Sequence, residues 1–229
     1  MRILALDSST DWLTVAVCDG ASWHEHGERA GSAASERALP LIDVLLRQAG
    51  VPLHGLDGIA FGAGPGSFTG VRIACGIAQG LGLGIDRPLI GVPTLLALAH
   101  RAWRTHGLVD VRPCLDARMR EVYIAAYRRE RDAWREVDAA AVRRPDDLQP
   151  IAGTWHGCGD GYRVYPELAS RLALASVDAN AQPSARAIGE LALARFAAGE
   201  GADAADAEPL YVRHRVALTT AERDAGQRL

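Results

Sequence analysis

The tetrad Asp7-Ser8-Ser9-Thr10 stands between two short apolar runs, residues 2–6 and 13–18, the second closed by Asp19-Gly20. A turn of this composition offers hydroxyls and backbone N–H groups to a phosphate, and a carboxylate to a hydrated magnesium ion. The same side chains also satisfy the backbone of an ordinary hairpin turn, so spacing alone leaves both readings open. A second candidate is Gly62-Ala63-Gly64-Pro65-Gly66-Ser67-Phe68-Thr69-Gly70, with four glycines in nine residues. Ser67 or Thr69 can cap a following helix, whose N-terminus attracts anions. The loop lacks a terminal Lys-Ser/Thr pair, and Gly62-x-Gly64-x-Gly66 has the wrong spacing for a dinucleotide fingerprint. Composition suits a binding or docking loop and a structural turn equally. As degenerate phosphate turns, the two segments put forward Asp7, Ser8, Ser9, Thr10, Gly64 and Gly66 as nucleotide-contacting candidates.

Several chemistries are excluded by residue type. All 25 basic residues are arginine, which removes the phosphate-loop lysine, Schiff-base lysines and every lysine general base. The seven histidines contain no His-Glu-x-x-His pair, and there is no Gly-x-Ser-x-Gly elbow. His24-x-His26 places two imidazoles on one strand face without an evident third ligand. Cys18, Cys75, Cys114 and Cys158 stand far apart, which suits buried thiols better than zinc or a redox pair. The formal charge of −3 gives no general basic field for a phosphate backbone, so any nucleic acid is expected to be held by a partner. The N-terminus reaches Asp7 too early for a signal peptide, and no apolar run approaches the roughly 20 residues of a membrane span. These features predict a cytoplasmic protein with no membrane contact.

The elements that must position the candidates read as follows. The first two apolar runs form a hairpin, with a third strand over 21–28. Ser35 is a candidate cap for a helix over 36–49, stopped by Gly50 and disturbed by Pro40. Its apolar positions, among them Leu39, Ile42, Val44 and Leu46, cover more than one stripe and predict two buried sides. A strand over 56–61 enters the glycine loop, and a helix over 71–83 leaves it. That helix carries Gly76, Gly80 and Gly84 at four-residue spacing. Each glycine costs a helix interior about 1 kcal/mol relative to alanine, and such a row lets another backbone approach closely. Packing within the domain and packing against another subunit both explain it. A strand over 89–92 and a helix over 93–104 complete the first half.

The second half repeats the first in outline. Val111-Arg112-Pro113-Cys114-Leu115-Asp116 echoes the strand ending at Asp7, and Gly157-Cys158-Gly159-Asp160-Gly161 weakly echoes the glycine loop. Duplication of one unit and a chance likeness of two hairpins both remain possible on this pattern. A helix over 186–198 follows, then a small-residue connector over 199–207, the extended segment 209–213, and a polar, mobile tail after Thr219. The boundary is placed near 104–108, giving lobes 1–104 and 105–229.

Four segments carry a resemblance. Ile3-Leu4-Ala5-Leu6-Asp7-Ser8-Ser9, Gly64-Pro65-Gly66-Ser67-Phe68-Thr69-Gly70-Val71-Arg72-Ile73, Asp116-Ala117-Arg118-Met119-Arg120-Glu121-Val122-Tyr123 and Pro209-Leu210-Tyr211-Val212-Arg213 resemble the TsaB (also called YeaZ) family. Gly91-Val92-Pro93-Thr94-Leu95 falls where that family has it. The resemblance implies an α/β fold of two actin/Hsp70-like (ASKHA, ribonuclease H-like) lobes, each a mixed sheet with flanking helices. It implies a non-catalytic scaffold for the transferase TsaD, together with the ATPase TsaE, in making threonylcarbamoyladenosine beside the anticodon. Expected partners are TsaD and TsaE homologues, or a second copy when alone, with tRNA reached only through the complex. The helices over 36–49 and 71–83 would form the contact, through Leu39, Ile42, Leu46, Phe68, Arg72, Ile73, Gly76, Ile77 and Gly80.

The catalytic relative has a His-x-x-x-His metal pair after the stretch equivalent to Gly91-Val92-Pro93. Here residues 94–99 contain no histidine and His100 stands alone, which implies no metal site and no transferase activity in this chain. Asp116-Ala117-Arg118 stands where a kinase of the superfamily has Asp-Gly, so tight nucleotide binding is not expected. ATP or ADP with Mg would sit, if anywhere, at the interface of the assembled complex. The alternative is a small-molecule kinase or phosphatase using Asp7 with Mg-ATP.

Overall fold

The computed structural model describes residues 1–212; the tail after Thr219, like Arg213 and His214, lies outside the described residues. The chain opens with an antiparallel meander, β1 (Ile3–Asp7), β2 (Trp12–Cys18) and β3 (Trp23–Arg29). After α1 (Ala34–Ala49), β4 (Gly58–Gly64) returns parallel to β1, and β5 (Leu89–Pro93) adds parallel to β4 after α2 (Phe68–Ile85). The order is β3-β2-β1-β4-β5. Every residue of β1 and β4 is buried, as central strands covered on both faces require. The edge strand β3 carries charged residues and histidines instead.

The second sheet repeats this plan. β6 (Asp110–Arg118), β7 (Glu121–Glu130) and β8 (Ala133–Arg143) form an antiparallel meander. β9 (His156–Cys158) lies parallel to β6, and β10 (Ser176–Asp178) parallel to β9. Two one-turn helices, α4 (Gly161–Val164) and α5 (Leu168–Arg171), separate the last two strands. The order β10-β9-β6-β7-β8 is the first sheet's order strand for strand, read from the other edge. This shared topology decides in favour of two copies of one unit, where two hairpins alone could not.

The lobe boundary needs correction, because each half lends a helix to the other. α3 (Thr94–His106), from the first half, packs Leu95, Leu98, Ala99 and Ala102 against Val111, Leu115 and Ala125 of the second sheet. α6 (Ala185–Ala197), from the second half, lays Ala185, Ile188, Ala192 and Phe196 on Ile3, Ala5 and Ile90 of the first. A Cβ added at Gly189 would lie 2.2 Å from the Trp23 ring, so α6 meets that sheet at close range. The chain then stays with the first lobe: Ala202 bridges Leu89, and Leu210 N–H donates to the Ala63 carbonyl (2.7 Å).

Helix starts also differ from the sequence pattern. α1 begins at Ala34 without a side-chain cap, so Ser35 lies inside the helix, while Gly50 ends it at φ +65°. α2 begins at Phe68, with Ser67 Oγ accepting from Gly70 N–H at 3.3 Å.

Candidate functional site

Two regions hold the residues singled out by sequence. The first is a cleft of about 710 Å³ between the lobes. Ser9, Thr10, Gly66 and Ser67 line it from the first lobe, Asp116, Arg118, Asp160 and Arg163 from the second, and Leu210, Tyr211 and Val212 run along it. Asp7, Ser8 and Gly64 do not line it.

Asp7 ends β1 with its carboxylate fully buried. Oδ1 accepts from Ser9 N–H (3.0 Å) and Ser9 Oγ–H (2.8 Å). Oδ2 has no hydrogen-bond partner among the described residues and lies over Gly62, where an added Cβ would stand 1.7 Å away. Burial pushes its pKa up to about 6 against the two opposing bonds from Ser9. The carboxylate therefore faces the strand beside it and does not line the cleft.

The glycine loop is joined to this turn by two hydrogen bonds. Ser67 N–H donates to the Ser9 carbonyl (2.6 Å), and Ser8 Oγ–H donates to the Gly70 carbonyl (2.8 Å). A Cβ at Gly66 would be 2.3 Å from the Ser9 oxygen, and one at Gly70 would be 1.9 Å from the Ser8 oxygen. The glycines are thus required for close approach of two turns, and the Ser67 amide that would face an anion is already used. Of the two readings left open by composition, the structural one accounts for Gly62, Gly66 and Gly70.

The second lobe is built the same way. Added Cβ atoms at Gly159 and Gly161 would strike Cys114, at 2.3 Å from its oxygen and 2.4 Å from its sulfur. Asp160 Oδ1 accepts from Asp116 N–H (3.1 Å), and burial raises the Asp160 pKa. Arg118 turns back on Asp116 (3.1 Å), occupying the carboxylate that a magnesium ion would need. Arg118, Met119 and Arg120 are all left-handed, at φ +60°, +56° and +60°, a conformation that costs about 1–2 kcal/mol per non-glycine residue.

The second region is the outer face of α1 and α2. α2 is apolar along its length, with a mean hydropathy of 1.3 over 18 residues, yet only 33% of it is buried. By length and composition it could cross a membrane; here Ala74, Cys75, Ala78 and Gly82 pack it on its own lobe. Gly82 alone of its last four glycines meets neighbours, Leu89 and Ala204. Cβ atoms built at Gly76, Gly80 and Gly84 meet nothing within 4 Å. Beside this open row Leu83 is 60% exposed, and Ile73 and Ile77 are half-buried. On α1, Leu39 (51%) and Val44 (45%) are exposed. Ile42 and Leu46, expected on the same contact face, are buried in the first lobe's own core. The wide apolar coverage of α1 therefore combines an inner stripe with outward residues.

Phe68 and Arg72 stand where the two regions meet. The Arg72 guanidinium lies 3.4 Å from the Phe68 ring centroid and 4.9 Å from that of Tyr211, and it donates to the Phe68 carbonyl (2.9 Å). The Arg72–Tyr211 contact and the role of Asp160 were not found from the sequence. Their partners lie far apart along the chain, and no local pattern signals them. His24 pairs with Asp19 and His26 with Glu28, all within the β2–β3 hairpin.

Comparison with known proteins bears on both regions. Residues 26–219 match the family model described as TsaD: tRNA N6-adenosine threonylcarbamoyltransferase. The tRNA threonylcarbamoyladenosine biosynthesis protein TsaB of Escherichia coli K12 is 38% identical over 95% of this chain and 96% of its own length. The chain belongs to the TsaB family. The protein of the same description from Haemophilus influenzae is 35% identical over 94% of this chain and 95% of its own length. The solved structure of YeaZ from Pseudomonas aeruginosa superposes with a TM-score of 0.84, at 38% identity, over 92% of this chain and all of that one. The two-lobed fold expected from the resemblance is thus shown for a TsaB relative across nearly the whole chain.

Proposed function

We propose that this chain is the non-catalytic, partner-binding subunit of the assembly that installs threonylcarbamoyl on the adenosine beside the anticodon of tRNA. Its relatives are named for threonylcarbamoyladenosine biosynthesis, and the matching family model is that of the transferase. The observation that carries the reading is the open glycine row of α2. Three glycines, each about 1 kcal/mol worse than alanine in a helix, face space that no described residue fills. A second helix fits there at close range, flanked by Ile73, Ile77 and Leu83. The occupant is a TsaD-type subunit, or a second copy of this chain when it is alone. The ATPase TsaE joins that pair, and tRNA is held by the assembly, in the cytoplasm.

The residues present do not fit a tightly held Mg-nucleotide in the isolated chain. Asp7 turns away from the cleft, and Asp116 is taken by Arg118. ATP or ADP at the joint interface would rely on groups from the partner, with Ser9, Thr10 and Gly66 as this chain's contribution.

The test is transfer of threonylcarbamoyl to tRNA by TsaD and TsaE with and without this chain. No transfer by the chain alone and restoration on its addition are expected. Equal transfer in its absence would refute the role. Gly80→Arg should abolish co-elution with TsaD while leaving the circular dichroism spectrum unchanged.

A further inference from the structure

α3 and α6 meet where the lobes exchange helices, and a polar relay runs through that contact. His100 on α3 is buried, with Nε2 3.1 Å from Glu190 Oε2 on α6 and Nδ1 3.1 Å from the indole Nε1 of Trp134 on β8. An indole N–H only donates, so His100 Nδ1 is the acceptor and carries no proton. Nε2 then holds the imidazole proton and donates it to Glu190. Burial works to raise the Glu190 pKa, but the bonds from His100 and Arg186 and the charge of Arg104 hold it below the usual range, so the acceptor is a carboxylate. Arg104 and Arg186 both reach Oε1, at 3.0 and 3.1 Å. Arg129, from β7, stacks on Trp103 at 3.6 Å and lies 5.7 Å from the Trp134 ring centroid.

Each link has one workable tautomer and one direction. The relay begins on the edge strand of the second sheet, passes through the helix packed on that sheet, and ends on the helix fastened to the first. We propose that Trp134, His100 and Glu190 form an interlobe latch that holds the two sheets at one angle. The cleft between Ser9 and Asp116 then has a fixed width, and the chain offers its outer helices as one rigid body. The three are positioning residues, and the inference does not depend on which partner docks.

The distance between the lobes tests it. All four native thiols are buried, so spin labels can be placed on cysteines introduced at Ala21 and Glu167, exposed sites on the first and second lobes. Pulsed electron–electron resonance on the full chain should give one narrow distance distribution. Trp134→Phe, which keeps the ring but loses the donor, and Glu190→Gln, which weakens the acceptor, should each broaden or shift it without loss of the circular dichroism signal. A broad distribution in the otherwise unmodified chain would overturn the latch, and needs no variant to fold. So would variants that fold and leave the distribution unchanged.

Discussion

At the scale of single residues, the chemistry-bearing types of the sequence are used for construction. Asp7 has the form of a phosphate-turn carboxylate, yet its position over Gly62 makes it a buried acid with one satisfied oxygen. Its pKa rises from an ordinary 3.8 to about 6 on folding. The folded chain therefore binds this proton more tightly than the unfolded one. The associated stability is fully present below about pH 4 and is lost as pH rises through 6, by on the order of 3 kcal/mol. Asp7→Asn removes the titration and retains an oxygen for Ser9. Thermal melts at pH 4.5 and pH 7.5 should show the variant gaining on the native chain at the higher pH. An equal difference in melting temperature at both pH values would contradict the assignment.

At the scale of elements, glycines in and beside α2 do opposite things, and substitution separates them. Gly62→Ala and Gly70→Ala drive a methyl group into Asp7 and into the Ser8 carbonyl, at 1.7 and 1.9 Å. The Ser8 carbonyl is backbone, and the Asp7 side chain is fully buried and bonded to Ser9, so neither can move aside. Either change should cost several kcal/mol and leave little folded protein. Gly76→Ala and Gly80→Ala meet nothing and should each stabilise the isolated chain by about 1 kcal/mol, through helix propensity. The same two changes should weaken pairing with TsaD, measured by titration calorimetry. A rise in melting temperature with unaltered pairing would mean that the open row is not the contact. Sequence spacing located this row, but the row itself was neutral between inward and outward packing. Ile42 and Leu46 show the converse limit. Their spacing marks an apolar stripe, and which way the stripe turns depends on the sheet it meets.

At the scale of the whole molecule, the exchange of α3 and α6 makes the lobes interdependent. Residues 1–106 alone would expose the face of the first sheet that Ile188, Ala192 and Phe196 cover, and would leave the second-sheet face of α3 bare. That fragment is expected to be aggregated or unfolded when expressed alone. Mixed with residues 107–229 it should refold, as two-dimensional NMR would show by recovery of the intact chain's dispersed spectrum. Independent folding of residues 1–106 would show that the exchanged helices are dispensable to the first lobe.

The sequence by itself determined the strand-turn-strand openings at Asp7 and Asp116 and the absence of lysine chemistry, and its four motifs carried the family resemblance from which the fold class was expected. These are properties of local composition and of motifs contiguous along the chain. Only the tertiary structure decided that α6 belongs to the first sheet, that Asp7 faces Gly62 and not the cleft, and that Gly76, Gly80 and Gly84 look outward. It also brought Trp134, His100 and Glu190 together. In each case the deciding neighbour lies on another element, often tens of residues away. A hydrophobic period gives the presence of a buried face but not the identity of what buries it.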